Sequence, residues 1–313
     1  MSPFDLPAHR LAAFARPVLE YLPAGFGAKD AARAEIDDIG SLAALASPDV
    51  VAARIGRLEV NVSTWDMTER LLEASDDSTI VSGLRYLNLD PAFPFVAVKT
   101  TARVNNVDAV NALAAQVAQA YRSVGVRGFT FWEQSGLDLS SAESWATVMA
   151  GSLSAAAGAD ERDVTAALTI SWPEAAAEVF ADYQREHRAW RSGAPELAPF
   201  VSESDQAGLQ DAADHGLLMS LRDDHGFAGL AAATISPLFG RRAVCMLDVF
   251  LTERWRGKGL APAIQSTFLA GQRSGADTVW GHIHAKNTPS LRTAQKMGRC
   301  PVQQEYFVSL PAF

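Results

Sequence analysis

Arg254-Trp-Arg-Gly257-Lys-Gly259 places three bases and two glycines within six residues. That composition suits the binding of an anion. Glycine lets the backbone approach a ligand with no Cβ in the way. An apolar run from Cys245 to Leu251 precedes the turn and reads as a strand, and an apolar helical pattern opens at Leu260. Strand, glycine turn and helix N-terminus together form a phosphate site, because the first N–H groups of a helix point outward unpaired. The helix dipole adds about 0.3–1 kcal/mol for a negative charge there. A turn with this many N–H donors suits two phosphates in line. Two familiar phosphate loops are excluded. No Gly-x-x-x-x-Gly-Lys-Ser/Thr occurs, and Pro262 breaks any Gly-x-Gly-x-x-Gly pattern. Arg254, Arg256 and Lys258 either meet phosphates or form a solvated basic turn.

Other residues could move protons. Asp248 stands in the middle of the apolar run, where an acid without a partner is costly to bury. It is either a working acid or the anchor of a hydrogen bond to a neighbouring turn. His282 and His284 are two apart on a predicted strand, so both face one side with Trp280 and Lys286. A neutral histidine on that side suits a base near pH 7; the alternative is a partly exposed sheet face. No third ligand accompanies them, so no metal site is predicted. Tyr306, on the last predicted strand, could supply a proton. Glu253 reads as a solvated turn residue and Asp223-Asp224-His225 as a hairpin turn. Cys245 and Cys300 lie in apolar surroundings and read as buried thiols, too few for a disulfide framework. Trp132, Trp145, Trp172 and Trp190 read as core, or as the walls of an apolar acceptor pocket between two halves.

The elements that must position these residues follow from periodicity. The spacing predicts Ala-rich helices over residues 1–55, with Ser47-Pro48 starting one of them. It predicts a strand over Arg57 to Val62, a helix from Asp66 to Ala74, and strands over Leu84 to Leu89 and Phe95 to Val104. A helix over Val107 to Val124 and a strand over Gly128 to Trp132 follow. Ser140-Ser-Ala-Glu143 resembles a capping box opening a helix to about Ala157. Beyond a boundary near residue 158 come a strand at Val164 to Trp172 and helices from Pro173 to Trp190 and Ser202 to Ala213. Three strands follow: Gly216 to Arg222, Gly226 to Ile235 and Arg242 to Leu251. A helix from Leu260 to Arg273, a strand from Thr278 to Ala285, a helix from Pro289 to Met297 and a strand from Gln303 to Leu310 close the chain. This is a mixed α/β sheet, and two domains are predicted, 1–158 and 159–313.

At this point the residues carry a resemblance. Arg-x-x-Gly-x-Gly between a strand and a helix is similar to the acetyl-CoA pyrophosphate motif of the GCN5-related N-acetyltransferase (GNAT) superfamily. Leu247-Asp-Val-Phe-Leu251 resembles that family's fourth strand. Ile283-His-Ala-Lys-Asn287-Thr-Pro-Ser290 with Lys296-Met-Gly298 resembles its fifth strand and next helix. The resemblance covers the C-terminal half. The N-terminal half, whose corresponding link Thr101 to Asn106 has no glycine, resembles the degenerate first domain of two-domain members and is expected to bind no CoA. The resemblance implies acetyl-CoA as cosubstrate. It implies that the backbone of Val249, Phe250 and Leu251 pairs with the pantetheine arm, and that Arg254, Trp255, Arg256, Gly257, Lys258, Gly259 and Leu260 surround the pyrophosphate. Asn287 and Ser290 match positions that touch the CoA arm, although either Asn287 or Thr288 could instead cap the helix that Pro289 begins. The family's tyrosine acid falls at Ala294 and its strand glutamate at about Ala243, so neither group is present. Acid–base work then falls to Asp248, His282, His284 or Tyr306.

The chain has 313 residues and a net charge of −9. That acidity argues against general nucleic-acid or membrane-surface binding. No apolar run approaches the roughly 18 residues needed to span a bilayer, and the first residues lack a signal-peptide pattern. The expectation is a cytoplasmic acetyltransferase acting on an amine, with its oligomeric state open. Two alternatives stand beside it: a non-catalytic acyl-CoA-binding module, and a longer-acyl or aminoacyl transferase on the same fold.

Overall fold

The computed structural model describes residues 6–73, 78–272 and 274–311. The chain forms two compact units. One comprises Met1–Ala146, Phe239–Arg241 and Gln303–Phe313; the other comprises Thr147–Leu238 and Arg242–Val302. These units do not follow a single cut at 158/159. Residues 147–158 group with the second unit, and 303–313 return to the first, because strand pairing groups residues more strongly than chain order does.

In the first unit, α1 (Ala8–Ala13), α2 (Arg16–Tyr21), α3 (Ala28–Leu45) and α4 (Pro48–Leu58) precede the short α5 (Thr64–Met67). Strands β1 (Arg70–Glu73), β2 (Thr79–Tyr86) and β3 (Pro94–Thr100) follow, then α6 (Val107–Ala120) and β4 (Gly128–Glu133). The strand over Arg57 to Val62 does not form. Helix α4 runs on to Leu58 and stops at Glu59, which takes a left-handed φ of 51°. The helix over Asp66 to Ala74 shrinks to one turn capped by Ser63, after which the chain extends into β1; residue 74 lies outside the described residues. Helix α6 forms as its spacing predicts. Val110, Leu113 and Val117 are buried, and Asn106 caps it by accepting the Ala109 N–H. The sheet order here is β1-β2-β3-β4, and β4 pairs antiparallel with residues 304–309 of the last strand.

Residues Glu143–Ser152 form β5, not a helix, and only Leu153–Ala157 turn helical as α7. Ala146 to Ala150 are all buried. A run apolar on both faces belongs in a central strand, and that outweighs the capping-box pattern at Ser140 to Glu143. Ser152 caps α7 instead.

The second unit continues with β6 (Thr169–Ser171), α8 (Ala177–Gly193), α9 (Gln206–Asp214), β7 (Leu218–Asp223), β8 (Gly226–Ile235) and β9 (Ala243–Leu251). Then come α10 (Ala261–Gly271), β10 (Thr278–His284), α11 (Thr288–Lys296) and β11 (Cys300–Ser309). The predicted helix limit at Arg273 falls outside the described residues. The strand order is β5-β10-β9-β8-β7-β6, with β6 through β9 antiparallel and β10 parallel to β9. Helices α8 and α9 and strands β7 and β8 supply much of one apolar core, which includes Tyr183, Leu209, Leu218 and Leu230. Helix α10 buries Ala263, Ile264, Phe268 and Leu269 in the same core. Among the described residues no single helix is long and apolar enough to cross a membrane.

Candidate active site

Strand β9 carries two irregularities. Opposite β8 its register slips, so that Asp248 faces Ala232 while Met246 faces Ala233, and Leu247 is the extra residue of a bulge. Opposite β10 its register is Ala243 with Thr278, Val244 with Val279 and Cys245 with Trp280, and goes no further. From Met246 onward that edge of β9 is open. The Thr252 N–H donates to the Ala228 carbonyl, so Phe250 shares the β8 side and the N–H groups of Val249 and Leu251 face the open edge.

The glycine turn lies at the end of this edge. Gly257 and Gly259 have φ of 72° and 70°, a region other residues rarely adopt. Helix α10 starts with no side-chain cap, leaving its first N–H groups without that partner. Helix α6 of the first unit, by contrast, is capped by Asn106. The backbone at this turn therefore offers unpaired N–H groups, a setting for an anion.

The basic side chains of the turn are committed to protein partners. Arg254 donates to both Asp223 carboxylate oxygens, at 2.7 and 3.0 Å, and to the Phe227 carbonyl. Trp255 Nε1 donates to the same Asp223 at 2.7 Å. These bonds hold the Asp223 carboxyl below its usual range against the opposing effect of its desolvation. Asp223 thus anchors the turn, a role beyond that of a plain hairpin residue. Lys258 lies 4.4 Å from the Trp255 ring centre. Arg256 turns inward. Its guanidinium sits over the rings of Phe250 and Trp190, at 4.7 and 5.0 Å, and Nε donates to the Leu251 carbonyl at 2.5 Å. Arg162, unremarked in the sequence, donates to the Gly259 carbonyl at 2.6 Å. Asn287 caps α11 by accepting the Ser290 N–H at 3.4 Å. That occupies one side-chain atom of the first residue and the backbone N–H of the second.

Asp248 is the centre of a polar cluster. The Tyr183 hydroxyl donates to its Oδ2 at 2.6 Å and accepts the Ser204 N–H at 2.9 Å. Burial pushes the Asp248 carboxyl up to about 6, although bonds from Tyr183 and the Val249 N–H, and the Arg256 charge, pull the other way. Burial and the adjacent carboxylate push the Tyr183 hydroxyl well above its usual range, so it stays protonated. One helical turn along α8, His187 is 1% exposed. Neither of its ring nitrogens has a hydrogen-bond partner. Nδ1 lies 3.6 Å from Glu203 Oε2, and Glu203 Oε1 is likewise buried and unpartnered. Burial first, then Arg191 and Arg256, push His187 down to about 4, so the ring is neutral near pH 7. Trp190, Tyr183 and Phe250 surround it. Tyr183, His187 and Glu203 did not stand out in the sequence. The available signal was Tyr183-x-x-x-His187-x-x-Trp190, one aromatic stripe at helical spacing.

The other sequence candidates are distributed differently. His284 stacks on Phe200, ring centres 4.3 Å apart, and Lys286 lies 4.3 Å from the same Phe200 ring. His282 is exposed. Tyr306 belongs to the first unit, where it stacks on Phe131 and donates to the Leu137 carbonyl at 3.1 Å. Of the tryptophans, Trp145 packs with Phe93, Phe95 and Phe307 in the first unit. Trp172 stacks on Phe268 in the second. Ala243 and Ala294 are both fully buried. Cys245 is half-buried, its thiol pushed up to about 12 by burial, but Cys300 is exposed, contrary to expectation. It starts β11, and the outward side of a strand end needs no apolar residue. Among the described residues no group of three or more His, Cys, Asp or Glu is placed to hold a metal.

The mixed sheet of this chain has a fold of the GCN5-related N-acetyltransferase type. The structure resembles a GCN5-related N-acetyltransferase from Sphaerobacter thermophilus, with TM-score 0.51 and 13% identity over 98% of this chain and 95% of that one. A GCN5-related N-acetyltransferase from Kribbella flavida is similar over 85% and 95% of the two chains, with TM-score 0.48 and 14% identity. A tandem GNAT protein from the clavulanic acid biosynthesis pathway is similar over 86% and 98%, with TM-score 0.47 and 12% identity. No family model and no curated protein matches the sequence.

Proposed function

We propose that the second unit transfers an acetyl group from acetyl-CoA to a cationic amine. The observation that carries this is the open edge of β9, running from the Asp248 cluster to the left-handed glycines. The Val249 carbonyl and the Leu251 N–H would pair with the pantetheine arm as an added strand does, since the Val249 N–H is shared with Asp248 and the Leu251 carbonyl with Arg256. The turn from Arg256 to Leu260 and the start of α10 would hold the pyrophosphate. At the other end, Asp248 and Glu203 present two carboxylates beside Tyr183 and Phe250, a setting for an ammonium group.

An acceptor amine with pKa about 10 arrives protonated. Asp248, at about 6, is mostly ionised at pH 7 and takes that proton. The amine lone pair then attacks the thioester carbonyl carbon, the C–S bond breaks, and the sulfur leaves as thiolate. The acceptor nitrogen releases its second proton to solvent, and the thiolate takes up the proton that Asp248 holds, which restores the carboxylate. The Val249 N–H, now shared with the Asp248 carboxyl, becomes available to the developing oxyanion once Asp248 is protonated. Positioning supplies much of the remaining rate.

A second reading is acyl-CoA binding without chemistry. The full burial of Ala243 and Ala294 favours it, since neither position can offer an acid or base. Calorimetric titration with acetyl-CoA, followed by thiol release across a panel of amines, separates the two. Turnover that Asp248→Asn reduces at least 100-fold supports the transferase. Binding with no turnover on any amine supports the second reading. Absence of binding, with Gly257→Glu indistinguishable from wild type, would sink both.

A further inference from the structure

The first unit contains a cavity of about 300 Å³ between its N-terminal helices and its sheet. Phe14, Val18 and Leu42 form one wall, from the helical side, and Val81, Ala97 and Phe131 form the other, from the strands. Protein interiors are packed to crystal density, so a space of this size is not filler. It is at the lower end of the range for small-molecule sites.

Its charges are unusual for such a place. Glu35, Asp38 and Glu69 line it against Lys99 and Arg85. With Arg54, which also pairs with Glu69, three carboxylates meet three bases, but unevenly: two bases serve Glu69, and one serves both Glu35 and Asp38, where negative charge is in local excess. The excess is at the α3 end. Lys99 is bonded to Asp38 and ion-paired with Glu35, so one ammonium faces two carboxylates. Glu35 Oε2 lies 2.7 Å from Lys99 Nζ, yet it is buried and has no well-directed hydrogen bond. The Glu69 carboxylate is already served by Arg54 and Arg85, at 3.2 and 2.7 Å. Unused acceptor capacity is therefore at Glu35, beside an apolar wall. The Tyr21 hydroxyl, which accepts from Gln303 Nε2 at 2.9 Å, also lines the cavity.

We propose that this cavity binds a small organic cation, a primary amine with an apolar body, its ammonium at Glu35 and Asp38 and its body against Phe14, Val18 and Phe131. The site is independent of the acyl-transfer reading, because every residue lining it belongs to the first unit. Nothing in it could perform acyl transfer, so its role is binding.

The test uses the full chain and phenethylamine, with phenethyl alcohol and phenylacetate as its uncharged and anionic counterparts. Saturable binding is followed by calorimetry and by ligand-observed NMR, with Asp248→Asn as the background that silences the other amine site. The expected result is that phenethylamine binds at least tenfold more tightly than either counterpart. Glu35→Gln should weaken it about tenfold. Ala97→Phe, which fills the cavity, should abolish it, with circular dichroism showing that this variant still folds. Should Ala97→Phe unfold the chain, Glu35→Gln decides alone. No saturable amine binding, binding unchanged in Glu35→Gln, or tighter binding of phenylacetate would each overturn the proposal.

Discussion

His187 has two ring nitrogens, no hydrogen bond to either, and almost no exposure. An unpaired buried polar group costs on the order of 1–3 kcal/mol. Folding alone would favour an apolar ring at this position, among Tyr183, Trp190 and Phe250. The histidine also loses its proton on folding, its value falling from 6.5 to about 4. The unfolded chain therefore binds more protons between those values, and stability contributed by this site falls as pH drops from about 6.5 to about 4. His187→Phe should leave stability at pH 8 unchanged or higher and should flatten its loss between pH 6.5 and 4, as read by thermal melts across pH. Asp248 behaves in the opposite sense. Its folded value, about 6, is above the ordinary 3.8, so the folded state holds the proton longer and the site loses stability as pH rises from about 4 to about 6. Asp248→Asn should therefore hold or raise the melting temperature at pH 8 while removing the acid limb near pH 6 from the acyl-transfer profile. Asp248 was legible from sequence because an acid interrupts an apolar strand. His187 was not, since a histidine on a helix face has no local signature until Glu203 and Phe250 close around it.

At the scale of elements, the turn from Thr252 to Leu260 is shaped less by its own charges than by Asp223 at the end of β7. Four donors converge on that one carboxylate, the His225 N–H, Trp255 Nε1 and two from Arg254 as a fork, the stronger kind of ion pair. Asp223→Ala should release the turn and weaken acetyl-CoA binding about tenfold, with little change in the core, because the loss is one of preorganisation. Gly257→Glu should weaken it further. A Cβ there meets no atom within 4 Å, so the cost comes from the left-handed φ and from a carboxylate placed where the proposed pyrophosphate would lie. Titration of each variant beside its thermal melt separates these effects. Apolar runs bounded by turn signals located β8 and β9, and helical spacing located α6, which buries one face through Val110, Leu113 and Val117. The sequence misled at β5, where a capping pattern stood before residues buried on both faces. It also could not reveal the splay of β9 from β10, which depends on where parallel pairing stops and on the bulge at Leu247.

At the scale of the molecule, the two cores are separate sets of residues with crossing connections. Leu153 and Ala156 of α7 are part of the second unit's core although they precede residue 158. A fragment of residues 159–313 would lack both, along with residues 147–152 of β5. It should fail to unfold cooperatively by circular dichroism and should bind acetyl-CoA at least tenfold more weakly than the whole chain. A cut inferred from composition alone, at the small and charged stretch near 158, cannot see this, because what assigns β5 and β11 is their pairing partners.

The pairing of Phe129 and Phe131 in β4 with Val308 and Tyr306 has a consequence for biosynthesis. On the ribosome, β4 emerges long before its neighbour. The whole of the second unit is translated while an aromatic strand waits with an unmet edge, the kind of edge that recruits other chains. The first unit cannot complete its sheet during synthesis, and it closes only after the second has been made. Nascent chains stalled before residue 304 should accordingly engage holdase chaperones, and chains released beyond it should not.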